Sequence, residues 1–276
     1  MRLVLGVLVL LFAAITAPPA WAGADFNRLY VFGDSYSDMG AGYLLANGPT
    51  SVAYLAKRMH IPFTHAMDKN ANGGSIDFAV SGAGTGLNPG ERTNGVLLEV
   101  GMLNQVQDFA ARVRAKSIAF DPNKTLFFIA GGLNDEKVPV EVSVANITRQ
   151  IEMLRSVGAR HMVLALLPTK VPDFSVPALR LNPAYEKLVP ELRERLGIDL
   201  RLSQWGRYFD EIMEHPQAYG IANAKDPCGF SAVLGEKGEP CSDPRKYFYY
   251  YSGHPSAWVN KLVGDRLYDE MKTHRR

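Results

Sequence analysis

"RLYVFGDSYSD", residues 28–38, runs an apolar segment straight into a polar turn with no spacer. The apolar part reads as a β-strand and the turn brings Gly33, Asp34 and Ser35 to its end. A serine on a tight strand-to-helix turn is exposed and rigid, as a nucleophile must be. A serine there is more commonly a helix cap or a turn former. The segments that the rest of the chain brings to the same place decide between these readings.

Outward from this stretch, short apolar runs alternate with longer helical patterns. "SVAYLAKRMH" (51–60) reads as a helix, "SIDFAV" (75–80) as a strand that ends in "SGAGTG", and "MLNQVQDFAARVRA" (102–115) as a helix. In that helix Leu103, Val106, Phe109, Ala110 and Val113 share one face. "TLFFIA" (125–130) is an unbroken apolar run, as a parallel strand buried on both faces requires. It ends in "GGLND". A helix over 142–158, a strand over 161–168, a helix over 183–197 interrupted or restarted at Pro190, and a weaker strand over 199–204 follow. A last helix starts at Ser256, a suitable N-cap, and runs to about Lys272. This alternation predicts one three-layer α/β/α domain around a parallel sheet of about five strands.

The bulk properties narrow the class. The chain has 276 residues, 47% hydrophobic and 21% charged, a globular balance with ample material for a core. Its net charge is +2 and no Lys/Arg run is long enough for a nucleic-acid patch. Residues 1–22 read as a cleaved signal peptide: Arg2, an apolar run from Leu3 to Ile15, and an A-x-A site at Ala20 and Ala22. The folded domain is then 23–276, and the protein is expected to be secreted or periplasmic. In an oxidising compartment the two cysteines, Cys228 and Cys241, most simply form a disulfide. The loop it closes is worth about 3 kcal/mol in the chain-entropy model. No metal site is expected, because no third or fourth ligand lies near the pair.

In a parallel sheet the functional loops lie at the carboxyl ends of the strands. "GDSYSD", "SGAGTG" and "GGLND" all fall there, and "GHPS" (253–256) opens the last helix. The backbone amide of Gly82 and the side-chain amide of Asn134 could point at a developing negative charge, as in an oxyanion hole. Each is weak alone, since glycine after a strand is usually a turn. The glycines at 82, 84 and 86 do not spell a dinucleotide fingerprint, because Leu87 stands where the last glycine would be. Of the six histidines only His254 has a suggestive setting; His60, His65, His161, His215 and His274 read as surface or satisfied core residues.

The order "GDSYSD" … "DFAVSGA" … "GGLND" … "SGHPS" resembles the SGNH, or GDSL, lipase and esterase family over nearly the whole chain after the leader. The segment "CSDPRKYFYYYSGHPS" further resembles its secreted lipase/phospholipase/acyltransferase branch. The resemblance implies that Ser35 is the nucleophile and His254 the general base. It also implies an oxyanion hole from the Ser35 and Gly82 amides and the Asn134 side chain. Asp34 and Asp38 would shape the turn rather than do chemistry.

One position departs from the pattern. The family's aspartate precedes the histidine by three residues, and here that place, the possible third triad member, holds Tyr251. A phenol brings no charge to the imidazolium, and losing the acid can cost about 10⁴ in kcat in a serine protease. A backbone carbonyl near 249–252, a bound anion, or a carboxylate from elsewhere, such as Asp226 or Asp243, could replace it. The expected activity is ester hydrolysis through an acyl-serine, on lipid or lysophospholipid acyl esters by resemblance, with no cofactor. The protein is expected to be a monomer with transient lipid-surface contact. Acyl transfer to an alcohol, or a non-catalytic binding protein on the same scaffold, are the alternatives.

Overall fold

The computed structural model describes residues 26–69, 71 and 74–273. The proposed leader and His274 lie outside them. In chain order the elements are β1 (Arg28–Gly33), α1 (Gly42–Leu45), α2 (Ser51–Arg58), β2 (Phe63–His65), β3 (Ser75–Asp77), the hairpin β4 (Glu91–Thr93) and β5 (Val96–Leu98), and α3 (Met102–Arg114). Then come β6 (Thr125–Ala130), α4 (Val140–Ser156), β7 (His161–Ala165), α5 (Ser175–Leu196), β8 (Asp199–Ser203) and α6 (Trp205–Glu214). The hairpin β9 (Tyr249–Tyr251) and β10 (His254–Pro255) and the helix α7 (Ala257–Thr273) complete the order.

The central sheet has six strands in the order β2-β3-β1-β6-β7-β8. All its pairings are parallel. After β1 the chain winds to one side, through β2 and β3, and later to the other, through β6, β7 and β8. The reversal therefore lies between β1 and β6, where a crevice opens beyond the strand ends. Ser35 follows β1 and Asn134 follows β6, so both stand at that crevice.

The two central strands are buried on both faces. Successive residues of β6 serve opposite layers: Phe127 meets Phe109 of α3, whereas Phe128 meets Trp205 of α6. Tyr30 and Phe32 of β1 also pack on Phe109. Trp205 is fully buried and its indole N–H donates to Ser51 Oγ at 2.8 Å, which ties α6 to α2. Truncating a core aromatic of this kind to alanine costs about 3–5 kcal/mol.

The six-stranded parallel sheet agrees with the expected sheet of about five strands, and the structure adds to the sequence reading at three places. The strand with no counterpart in the sequence patterns is the edge strand β2, whose three residues are too short to show one. The β4–β5 hairpin was likewise not expected. And α5 is neither interrupted nor restarted at Pro190: it runs unbroken for 22 residues through Pro183 and Pro190. Both prolines are exposed and stand two turns apart on the outer face, where solvent can serve the carbonyls they leave unbonded. Leu181, Tyr185, Leu188, Val189 and Leu192 hold the inner face in the core.

Candidate active site

The first turn is built by close backbone approach. A Cβ on Gly33 would lie 2.5 Å from the Ala130 carbonyl oxygen, so only glycine lets β1 end beside β6. Gln105 of α3 grips the same residue twice: its Oε1 accepts from Gly33 N at 3.0 Å and its Nε2 donates to Gly33 O at 2.9 Å. Past it, Ser37 and Asp38 both donate their amides to Asp34 O at 3.0 Å, and the Asp34 carboxylate accepts from Tyr36 N. Burial lifts the Asp34 carboxyl to about 7.

Buried carboxylates lock the neighbouring loops to this turn. Asp38 accepts from Ser81 N at 2.7 Å, Ser81 Oγ at 2.9 Å and Gly40 N at 2.7 Å, so the residue before Gly82 is tied to the Ser35 turn. Asp77 accepts from Met39 N and Ala79 N. Asp135 accepts from Thr85 N and Thr85 Oγ1 and from Ser143 Oγ, joining the loop after β6 to the glycine-rich turn. Burial pushes the carboxyls of Asp38 and Asp77 up. The sequence marks Asp135 only through the "ND" dipeptide and carries no local signal for Gln105.

Gly82 has φ +82 and, with Asn134, lines an open groove of about 750 Å³. The Asn134 amide donates one N–H to Ala83 O at 2.9 Å, which aims the group and uses one of its two protons.

His254 enters from the other end of the chain. In the β9–β10 hairpin it stands directly opposite Tyr251, with Ser252 and Gly253 as the turn. Its Nε2 lies 2.8 Å from Ser35 Oγ and its Nδ1 lies 2.8 Å from the Ser252 carbonyl oxygen. A carbonyl can only accept, so Nδ1 carries the proton and the Nε2 lone pair faces the serine hydroxyl. Burial lowers the pKa of His254, while the Ser252 carbonyl and the negative charge of Asp173 oppose that shift.

Tyr251 does not bind the imidazole nitrogen. Its ring lies against the His254 ring, 5.7 Å between centroids, and its hydroxyl reaches past it to donate to Glu236 at 3.3 Å. The phenol is long enough to carry its hydroxyl past the imidazole. Asp226 is engaged by Asn223 Nδ2, and Asp243 accepts from the Arg245 backbone and side chain. The carboxylate that does reach the histidine turn is Asp173, which the sequence reading did not single out: Ser252 Oγ donates to its Oδ2 at 3.4 Å.

The Cys228–Cys241 disulfide is present. Beside it, Cys228 N and Gly229 N donate to Tyr249 O and Tyr250 O, so the cross-linked loop is laid along the strand that leads to His254. Among the described residues there is no cluster of three or more His, Cys, Asp or Glu able to hold a metal ion.

A serine hydroxyl held on a histidine nitrogen at the switch point of a parallel sheet is an arrangement for acyl-group chemistry. Residues 29–213 match the GDSL-like lipase/acylhydrolase family, and the chain belongs to that family. Two curated relatives are similar to it. A thermolabile hemolysin of Vibrio parahaemolyticus is 27% identical over 287 aligned positions, covering 88% of this chain and 63% of that protein. A GDSL esterase/lipase of Arabidopsis thaliana is 30% identical over 105 residues, 35% of this chain and 30% of that protein. The chain thus spans less than two thirds of either relative. Solved structures are more distant: a lipolytic G-D-S-L family protein from Veillonella parvula has 15% identity and a TM-score of 0.48, covering 88% of this chain and 96% of that one.

Proposed function

We propose that the protein is an exported carboxylic ester hydrolase that works through an acyl-serine on Ser35. The observation that carries the reading is the 2.8 Å contact between Ser35 Oγ and His254 Nε2, with Nδ1 committed to the Ser252 carbonyl. In the first half-reaction Ser35 Oγ bonds to the acyl carbonyl carbon and its proton passes to His254 Nε2. The carbonyl oxygen, now negative, is met by the Ser35 and Gly82 amides and the remaining N–H of Asn134. The bond to the leaving alcohol then breaks as Nε2 returns the proton to the departing oxygen. In the second half-reaction water gives a proton to Nε2 as its oxygen bonds to the acyl carbon, and Nε2 then passes that proton to Ser35 Oγ as the acyl bond breaks, which releases a carboxylic acid and restores both Ser35 and neutral His254.

A lipid acyl ester is the favoured substrate class. Leu87 and Val142 line the groove beside Gly82 and Asn134 and are 59% and 44% exposed, an apolar lip beside polar walls. The lipase/acylhydrolase family and the Arabidopsis relative, named an esterase/lipase, fit ester chemistry. The disulfide fits an oxidising compartment, as export through a cleaved leader at residues 1–22 implies. No helix among the described residues is long and apolar enough to cross a membrane.

The test is covalent labelling with a fluorophosphonate together with turnover of short p-nitrophenyl esters. Wild type should label at Ser35 and Ser35→Ala should lose both label and turnover. Asn134→Ala should label slowly and lose about 10²–10³ in kcat. Full turnover by Ser35→Ala would refute the reading.

A further inference from the structure

We propose that Asp173 is the positioning acid of this site, standing in for the aspartate missing at position 251 and acting on His254 through the Ser252–Gly253 turn. The proposal rests on the Ser35–His254 reading above and extends it to a residue some eighty positions upstream of the histidine. Asp173 lies in a 3-10 turn, Pro172–Phe174, in the connection that follows β7 and so on the same rim as the other loops.

Three contacts bring this turn to the histidine. Ser252 Oγ donates to Asp173 Oδ2 at 3.4 Å. A Cβ added at Gly253 would lie 2.5 Å from Asp173 Oδ2, so the carboxylate is seated directly on the turn that precedes His254. And Phe174 presents its ring edge-on to the imidazole, 5.9 Å between centroids. The turn is held from behind: Asp210 of α6 accepts from Thr169 N, Thr169 Oγ1 and Lys170 N at 2.8 Å each. Gly253 explains itself by the same contact. It has φ +68, and a side chain there would displace the acid.

Charge supplies the function. Proton transfer from Ser35 leaves an imidazolium whose Nδ1–H points at a neutral carbonyl, and a carboxylate beyond that carbonyl stabilises the cation. The groups around His254 are Asp173, Tyr36 from the nucleophile turn, and Tyr251 with Glu236 behind it. Burial pushes both tyrosines up, so they stay neutral, and Asp173 and Glu236 bring the negative charge. Only Asp173 is hydrogen-bonded to the residue whose carbonyl orients the ring. Asp173 is itself exposed, so its influence is that of a surface charge, open to screening by salt.

The experiment compares wild type, Asp173→Asn and Asp173→Glu in full-length exported protein with a short p-nitrophenyl ester over a pH series. Asp173→Asn should lower kcat about tenfold with KM nearly unchanged. The acid limb should move to lower pH, because an imidazolium without its counter-charge loses its proton more readily. The gap between wild type and Asp173→Asn should narrow as salt rises, and Asp173→Glu should recover most of the activity. An unshifted acid limb in a folded Asp173→Asn, or no recovery in a folded Asp173→Glu, would overturn the proposal. Wild type that fails to label at Ser35 would instead remove the hydrolase reading beneath it.

Discussion

The hydroxyl of Tyr36 donates to the carbonyl oxygen of Gly253 at 2.6 Å, across 217 positions of sequence. Tyr36 is the residue after the proposed nucleophile and Gly253 the residue before the proposed base. The bond therefore fixes the separation of the two reacting groups from behind, and Tyr36 is fully buried among Phe174, Trp205 and Phe209 while making it.

Tyr36→Phe keeps the ring packing and removes only this bond. The buried Gly253 carbonyl is then left without its donor, at a cost of about 1–3 kcal/mol. Urea melts should show that loss, and kcat should fall about tenfold or more while the ester KM changes little. A variant with wild-type kcat would mean that the spacing is set by the hairpin alone.

Tyr251→Phe should be mild. The hydroxyl that disappears serves Glu236 at 3.3 Å and not the imidazole, so its loss leaves the proton-transfer pair untouched. Steady-state kinetics should show less than a tenfold change in kcat. Tyr251→Asp should not raise activity, since the Nδ1 proton is already donated to Ser252 O. A gain of tenfold or more in that variant would show that the site lacks an acid it needs.

The pH profile follows from the burial of His254, which lowers its pKa from the ordinary 6.5. The base must be neutral to accept the serine proton, and a lowered pKa keeps it neutral further into acid. The acid limb of kcat/KM should therefore lie below pH 6.5, read with a substrate that does not titrate in the range. A limb above 6.5 would contradict the neutral, Nδ1-protonated state described above.

Reducing the Cys228–Cys241 bond should cost about 3 kcal/mol by loop entropy. It should also lower kcat by more than the unfolded fraction explains, because the cross-linked loop is hydrogen-bonded to Tyr249 and Tyr250 just before the histidine turn. Activity and tryptophan fluorescence followed together under graded dithiothreitol separate the two effects. Coincident curves would show that the bond only stabilises.

The sheet and the four rim segments were legible because each is local. An apolar run that ends in a glycine-bearing turn can be seen within ten residues, as at Thr125–Ala130 and the "GGLND" that follows. What escaped has no local signature. Asp173 acts on a turn 79 positions away, and nothing around "VPDFS" distinguishes it from a helix-leading loop. Gln105 looks like one more polar residue on an amphipathic helix until its side chain is found on Gly33. Position 251 could be recognised as unusual, but the reach of the phenol past the ring depends on the hairpin register, which only the fold supplies. The prolines of α5 misled because helix propensity is judged without knowing which face is wet.

The contact between Ser35 and His254 spans 219 positions, and this has a consequence for the order of events during synthesis. Translation delivers the serine 219 residues before the histidine, so a nascent chain carries no assembled pair until the β9–β10 hairpin has been made and docked. On the proposed reading, a chain still on the ribosome or a fragment cut short of residue 254 lacks the base and stays silent. The same separation raises the contact order, which slows folding.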